Sequence, residues 1–300
     1  MPERPRGVFV GLATLDVINR VDAGPAANQK ITAREQFVAA GGPAANAAIA
    51  FAGLGGRAVL VTALGQSAIA RLIASELEDH GVEVVDVTPG SSVPAPVSAV
   101  AVTIATGERS VIGADAASLV VDAPSDAEAV LDGADVVMID GHHPLVATTF
   151  ATAARARGMR VVVDAGRWKT VMAELMTQAD DMVCSDDFRM PGSSDSHGTA
   201  AELVAAGVDT VVTTHGDGDV LWWRDGASGS VTVPAITAAD TLGAGDVFHG
   251  AYAYYSTLDS LGLPDRIRAA ARVAALRCSI VGPRAWLENL AELNPLEMTP

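Results

Sequence analysis

Short runs of Val, Ile, Leu and Ala recur along the chain, and between them apolar residues return at helical spacing. Such runs predict buried strands, and the periodic stretches predict helices. The first run, residues 8–13, leads to Thr14 and Asp16, which predicts a strand with a carboxylate at its C-terminal end. Residues 57–64, 83–87, 136–140, 160–164, 182–184 and 210–214 read as further strands. Helices are predicted over 44–54, 68–80, 144–157, 169–178 and 199–206, then over 251–257, 265–280 and 286–293. Residues 220–223 and 231–235 predict a β-ribbon. Strands alternating with helices in this way predict an α/β fold, a doubly wound and mostly parallel sheet. Ligands of such sheets sit at the C-terminal ends of the strands, which makes Asp16 a candidate site residue.

Two stretches break the alternation. Residues 17–21 and 31–38 read as a pair of antiparallel strands, and 98–105 with 109–113 as a hairpin turning at Thr106-Gly107-Glu108. Together they predict a small β-sheet, a lid formed by about 17–38 and 97–113 over a single domain spanning 1–300.

Two glycine-rich segments carry the candidate chemistry. In the first, Gly41-Gly42 allows close backbone approach, Pro43 suits a first helical position, and Asn46 is the polar side chain of the turns that follow. In the second, residues 239–251, a predicted strand over 231–236 runs into Gly243-Ala244-Gly245 and a helix start. Unpaired N–H groups and the positive end of a helix dipole then converge on one spot that suits an anion. Asp246 adds a carboxylate beside it, a combination useful where a phosphoryl group moves onto a hydroxyl.

Composition narrows the partners. The 300-residue chain is 49% apolar and 4% aromatic, and its formal net charge is −16. An acidic chain repels nucleic acid and anionic membranes, so neither is expected as a partner. It also repels ATP at long range, so a nucleotide site must supply its own donors. No apolar run reaches the roughly 18 residues of a membrane span, and no signal-peptide pattern is present. Cys184 and Cys278 lack metal-ligand spacing and read as buried thiols. A soluble, cytoplasmic protein is expected. The P-loop, the dinucleotide fingerprint, the protein-kinase motifs and the hydrolase nucleophile elbow are missing. His142-His143, at the end of a predicted strand, read as loop histidines.

Asp240-Thr241-Leu242-Gly243-Ala244-Gly245-Asp246, followed by Gly250-Ala251, closely resembles the C-terminal signature of the ribokinase-like (PfkB) carbohydrate kinases. Gly41-Gly42-Pro43-Ala44-Ala45-Asn46 resembles their N-terminal signature, and Asp16 matches their substrate aspartate. Thr213-Thr214-His215-Gly216 resembles the strand end that adjoins their nucleotide, and Gly107-Glu108-Arg109 their lid hairpin. The resemblance keeps order and spacing from about residue 8 to about 285. It implies an ATP-dependent kinase that phosphorylates a hydroxyl of a sugar or sugar derivative. Asp246 would be the base, and Gly243, Ala244 and Gly245 the anion hole. Asp16, Gly41, Gly42 and Asn46 would hold the sugar; Thr214, Gly216, Asp240, Thr241, Gly243 and Gly245 would adjoin the nucleotide. Lys30, Arg109 and Arg284 are candidates for a phosphate or acid group of the substrate, with solvated surface charge as the other reading of each. The implied cofactors are ATP and Mg²⁺, with a monovalent cation as a further candidate, and the implied assembly is a homodimer through the lid.

The chain departs from the family at one place. Ser185 and Phe188 stand where an Asn-x-x-Glu helps to hold magnesium and the phosphates, which leaves Asp186 and Asp187 as substitute metal residues. The general look is similar to bacterial ketose and sulfofructose kinases, and Lys30 matches a lid lysine there. Gly113 and His142, however, occupy positions where sulfonate contacts are expected, so no substrate is assigned. Two alternatives stay open: a nucleoside kinase of the same family, and a non-catalytic sugar-binding relative.

Overall fold

The computed structural model describes residues 4–114, 120–291 and 293. The chain begins with β1 (Arg6–Val10), β2 (Thr14–Val21), β3 (Glu35–Gly41), α1 (Pro43–Gly53), β4 (Arg57–Thr62), α2 (Ala68–Asp79) and β5 (Val82–Asp86). There follow β6 (Val97–Thr103), β7 (Arg109–Gly113), α3 (Ala127–Val130), β8 (Val136–Ile139), α4 (Pro144–Ala156), β9 (Arg160–Ala165) and α5 (Met172–Leu175). The last part comprises β10 (Asp181–Cys184), α6 (Ser196–Ala205), β11 (Thr210–His215), β12 (Gly218–Arg224), β13 (Ala227–Val231), α7 (Ala244–Ser256), α8 (Leu263–Ser279) and a 3-10 turn, Ala285–Asn289.

The main sheet has the order β13-β12-β11-β10-β9-β8-β1-β4-β5. It is parallel from β11 to β5, and antiparallel where β12 and β13 extend one edge. The alternation of side chains along these strands divides the core in two. Val8, Val10, Val137, Ile139, Val161 and Val163 pack on the side of α4, α5 and α6. Phe9, Leu60, Met138, Val162 and Val183 pack on the side of α1, α2, α7 and α8. Both faces are therefore covered, which explains why the strands read as unbroken apolar runs.

On the second face α1 and α7 lie very close. A Cβ added at Gly250 would stand 2.2 Å from the Ala47 carbonyl oxygen, so only glycine allows that approach. Gly250→Ala is expected to cost about 1–3 kcal/mol through overpacking, read as a lowered unfolding midpoint; an unchanged midpoint would show that the helices separate without cost.

The second sheet has the order β3-β2-β6-β7, with β2 and β6 parallel and the outer pairs antiparallel. Both excursions from the alternation thus meet in one sheet. Its inner face buries Ile18, Val100 and Val102 against Phe37 and Leu242.

Several boundaries differ from expectation. Residues 31–34 are not strand; β3 starts at Glu35, where pairing with Arg20 begins. β13 is Ala227–Val231, not 231–235. The cause is Asp225-Gly226, both at positive φ (52° and 74°), which close a two-residue hairpin and fix the register Arg224↔Ala227. Residues 232–242 then reach α7 as irregular chain, so no strand leads directly into the glycine turn. The stretch 169–178 holds only the short α5, and 286–293 holds the 3-10 turn, with residue 292 outside the described residues. Among the described residues no helix is long and apolar enough to cross a membrane.

Candidate active site

Gly42 caps α1 with φ at 96°, and a Cβ there would lie 2.4 Å from the Leu12 carbonyl oxygen. A Cβ at Gly41 would fall 2.0 Å from Asp16 Oδ2. The glycine pair therefore lets the β3–α1 junction lie directly against the Asp16 carboxylate. Asp16 is not at the end of β1. It stands within β2, opposite Ala39 on one side and Ser98 on the other, because the chain leaves the main sheet after Val10 and enters the small one at Thr14. Thr14 Oγ1 donates to Asp16 Oδ1 at 2.7 Å. Burial pushes the Asp16 carboxyl upward; the Thr14 and Ser98 hydroxyls oppose that, and the nearby Asp246 charge adds to it.

The second half comes from the start of α7. Gly243 caps the helix in the left-handed region, φ 72°, and Asp246 sits in the first turn. Asn46 Nδ2 donates to Asp246 Oδ2 at 2.8 Å, joining the two glycine-rich segments across 200 residues of sequence. Arg284 decides which way that amide points. Its Nη1 donates to Asn46 Oδ1 at 3.2 Å, its Nε meets Glu76 Oε1 at 2.9 Å, and its Nη2 donates to the Ala40 carbonyl. With Oδ1 taken by a guanidinium, Nδ2 must face Asp246. The expectation of a solvated Arg284 is thus corrected: it is largely enclosed, and burial pushes its pKa down against the pull of Glu76. Asp16, Ala40, Asn46, Gly243, Arg277 and Arg284 line one small cavity, and among the described residues no aromatic side chain joins them there.

The turn before α7 is tied down more than expected. Ala244 N–H donates to the Thr241 carbonyl at 3.3 Å. Gly245 is exposed, and a Cβ there would meet nothing within 4 Å, so its backbone is open to a ligand. Thr241 Oγ1 donates to the Gly107 carbonyl at 2.8 Å, and Thr241 N–H reaches the same oxygen at 3.2 Å. The β6–β7 turn is therefore clasped against the residues that precede α7. Asp240, expected at the nucleotide, is instead buried in an ion pair with Arg277 at 3.2 Å. Arg109, in exposed β7, lies 3.5 Å from Thr241 Oγ1. Lys30 lies in the exposed segment between β2 and β3 and does not line the cavity.

His249 anchors α7 to the sheet. Its ring stands 2.6 Å from the Gly245 carbonyl, 3.1 Å from the Val183 carbonyl and 3.4 Å from Asp164 Oδ1. Near the end of β11 the Thr214 hydroxyl donates to the Cys184 carbonyl, and Gly216, just past the strand, has positive φ and open space where a Cβ would be. Between them, Ser185 Oγ donates to the Gly166 carbonyl at 2.6 Å and so stitches the end of β10 to that of β9. Phe188 is buried against Trp168. Both departures from the family pattern are thus part of the packing. Asp186 faces Arg189, His215 and Ser196. Among the described residues, no group of three or more His, Cys, Asp or Glu could hold a metal ion.

One central residue escaped the sequence reading. Asp140 is buried, accepting from Leu12 N–H at 2.9 Å, Ala44 N–H at 3.2 Å and His142 N–H at 2.8 Å, with His142 Nδ1 3.0 Å away. It holds the start of α1, and with it Gly42 and Asn46, onto the ends of β1 and β8. A carboxylate closing an all-apolar strand and followed by glycine was the available signal.

The sequence matches the pfkB family carbohydrate kinase pattern over residues 5–289. It is 30% identical over 256 residues to an ATP-dependent ribose-1-phosphate kinase of Halopiger xanaduensis, covering 81% of this chain and 82% of that one. It is 21% identical to a ribokinase of Haemophilus influenzae, over 88% of this chain and 89% of that one. The Arabidopsis thaliana ribokinase solved with ribose and ATP superimposes with a TM-score of 0.80 at 23% identity, over 99% of this chain and 100% of that chain. The match spans both sheets and both glycine-rich segments, and the chain belongs to the pfkB family of carbohydrate kinases, which are phosphotransferases.

Proposed function

We propose that the protein transfers the γ-phosphoryl group of ATP to a hydroxyl of a sugar or sugar phosphate, with Asp246 as the base. The observation that carries this is the 2.8 Å Asn46–Asp246 hydrogen bond beside the Asp16 cavity. It sets a carboxylate at a helix N-terminus next to residues suited to hold hydroxyls. Asp16 and Asn46 would fix the sugar, and Asp246 would accept the proton of the attacking hydroxyl. The first-turn N–H groups of α7, Gly245 foremost, lack helical acceptors and would take up charge on the phosphoryl oxygens. Magnesium would arrive with ATP as its complex, held by the phosphates and at most one or two carboxylates, since the described residues gather no larger group of ligands. The open chain around Thr214 and Gly216 is the proposed nucleotide side. The small sheet would act as the lid: its clasp on Thr241 leaves little space in the cavity, so a sugar must enter with that clasp open and water is shut out when it closes. The exposed Val38, Val111 and Ile112 on the same sheet support a homodimer through the lid, to be read from the mass in solution.

A cavity without aromatic lining favours a sugar over a nucleoside. The relative that is a ribose-1-phosphate kinase puts ribose and its phosphates first among candidates. The test is an ADP-release screen over pentoses, hexoses, ketoses, sugar acids, sugar phosphates and nucleosides with MgATP. Turnover is expected with a sugar or sugar phosphate. Binding of such compounds with no ADP released above background would leave a non-catalytic relative, and turnover confined to nucleosides would overturn the substrate class.

A further inference from the structure

A fixed positive charge lies under the loop that leads into α7. Arg277, in the last turn of α8, is only 2% exposed, and Asp240 is 1% exposed. Arg277 Nη2 lies 3.2 Å from Asp240 Oδ2, and Nη1 donates to the carbonyls of Asp240 at 3.3 Å and Ile280 at 3.2 Å. The same two segments are laced together by their backbones. Ala239 and Asp240 N–H reach the Cys278 carbonyl at 2.8 and 3.1 Å, and Gly282 N–H lies 3.3 Å from Asp240 Oδ2. Asp240 Oδ1 in turn accepts from Leu242 N–H at 3.0 Å, one residue before the Gly243 cap. The carboxylate and the two carbonyls that surround this guanidinium are oxygen donors of the kind that bind a hard cation. Here a guanidinium, permanently charged and with several planar donors, takes all three. The oxygens a monovalent cation would need are engaged by Arg277 instead.

We propose that Arg277 is a positioning residue that serves as the internal cation of the anion-hole loop, so that phosphoryl transfer requires no monovalent cation. The proposal rests on reading that loop as the anion hole. Arg277 neutralises Asp240, Asp240 holds Leu242, and Leu242 sets the entry to Gly243 and the open N–H groups beyond it. Loss of the guanidinium would leave a buried, unpaired carboxylate and free the loop from α8, while Asp16 and Asn46 keep their own supports. Arg277 also borders the sugar cavity, but its guanidinium is engaged by Asp240 and the Ile280 carbonyl, so the effect should fall on kcat more than on the sugar KM.

The test compares KCl, NaCl and choline chloride at equal ionic strength. The wild-type enzyme is expected to turn over in choline chloride, with kcat within about twofold in all three salts, and its unfolding midpoint should show no shift specific to K⁺ or Na⁺, since an ion bound to the native state would raise it. Arg277→Met in choline chloride should lose about tenfold or more in kcat with KM changed less than about threefold, and added K⁺ or guanidinium should restore about fivefold or more. Arg277→Lys should retain most of the rate in choline chloride. A wild-type kcat that rises fivefold or more in K⁺ (about 1 kcal/mol) overturns the proposal, as does a folded Arg277→Met enzyme with wild-type kcat in choline chloride. If Arg277→Met fails to fold, the wild-type salt series decides. Absence of wild-type turnover in every salt would instead count against the kinase reading, and the unfolding midpoints would still report whether a cation binds.

Discussion

Asp246→Asn is expected to lower kcat by at least about a hundredfold, near 2.7 kcal/mol of barrier, with sugar affinity within about threefold of wild type. The substitution is well suited to isolating chemistry from structure. Asn46 Nδ2 donates to Asp246 Oδ2 at 2.8 Å, and an asparagine oxygen at that point can still accept that hydrogen. Arg284 keeps the Asn46 amide in its orientation from the other side, so the neutral side chain should not rotate it. Asp16, Gly41 and Gly42 do not depend on Asp246 for their geometry. What is lost is the group able to take the hydroxyl proton as the phosphoryl group arrives. Steady-state rates with calorimetric sugar binding and an unfolding scan separate these contributions. A folded variant with kcat within about threefold of wild type would remove Asp246 from the base role, and weakened sugar binding with unchanged kcat would make it a binding residue instead.

The sequence reading was most complete where burial is two-sided. Strands such as Val136–Ile139 and Arg160–Ala165 have helices on both faces, so their composition alone marks them. The two glycine-rich segments were also legible, because Gly41, Gly42 and Gly243 each answer a local steric demand. Asp16 was identified but set on the wrong element. Nothing in residues 8–16 signals that the chain crosses from one sheet to the other within four residues of Val10. Arg284 was misread because its burial is assembled from Glu76 on α2, Ala40 on β3 and Asn46 on α1, none near it in sequence. Asp240 was assigned by resemblance to the nucleotide, while its partner Arg277 lies 37 residues later and becomes visible only when α8 packs back. The hairpin at Asp225-Gly226 was readable in principle, and missing it displaced β13 and created a strand before α7 that the fold does not have.

Asp140→Ala is expected to destabilise the protein by about 3–5 kcal/mol at neutral pH, the largest stability loss among these substitutions. The carboxylate is the acceptor for the Leu12, Ala44 and His142 N–H groups, and alanine would leave those buried donors without it. Burial acts to raise the Asp140 pKa, but the His142 ring, the His142 N–H and Lys169 outweigh it and hold the carboxyl well below the ordinary carboxylate range. That fixes the sign of the pH dependence. A depressed folded pKa contributes stability above the unfolded value, about 3.9, and loses it as pH falls toward the folded value. The gap between wild type and Asp140→Ala should therefore be full at pH 6–7 and narrow as pH drops below about 4. Denaturant unfolding of both proteins across that range checks it. A gap that stays constant with pH would mean that Asp140 contributes through shape alone, and no gap at neutral pH would mean that α1 does not depend on it. Because α1 carries Asn46, residual folded Asp140→Ala should also lose the fixed approach of Asn46 to Asp246 and fall in kcat.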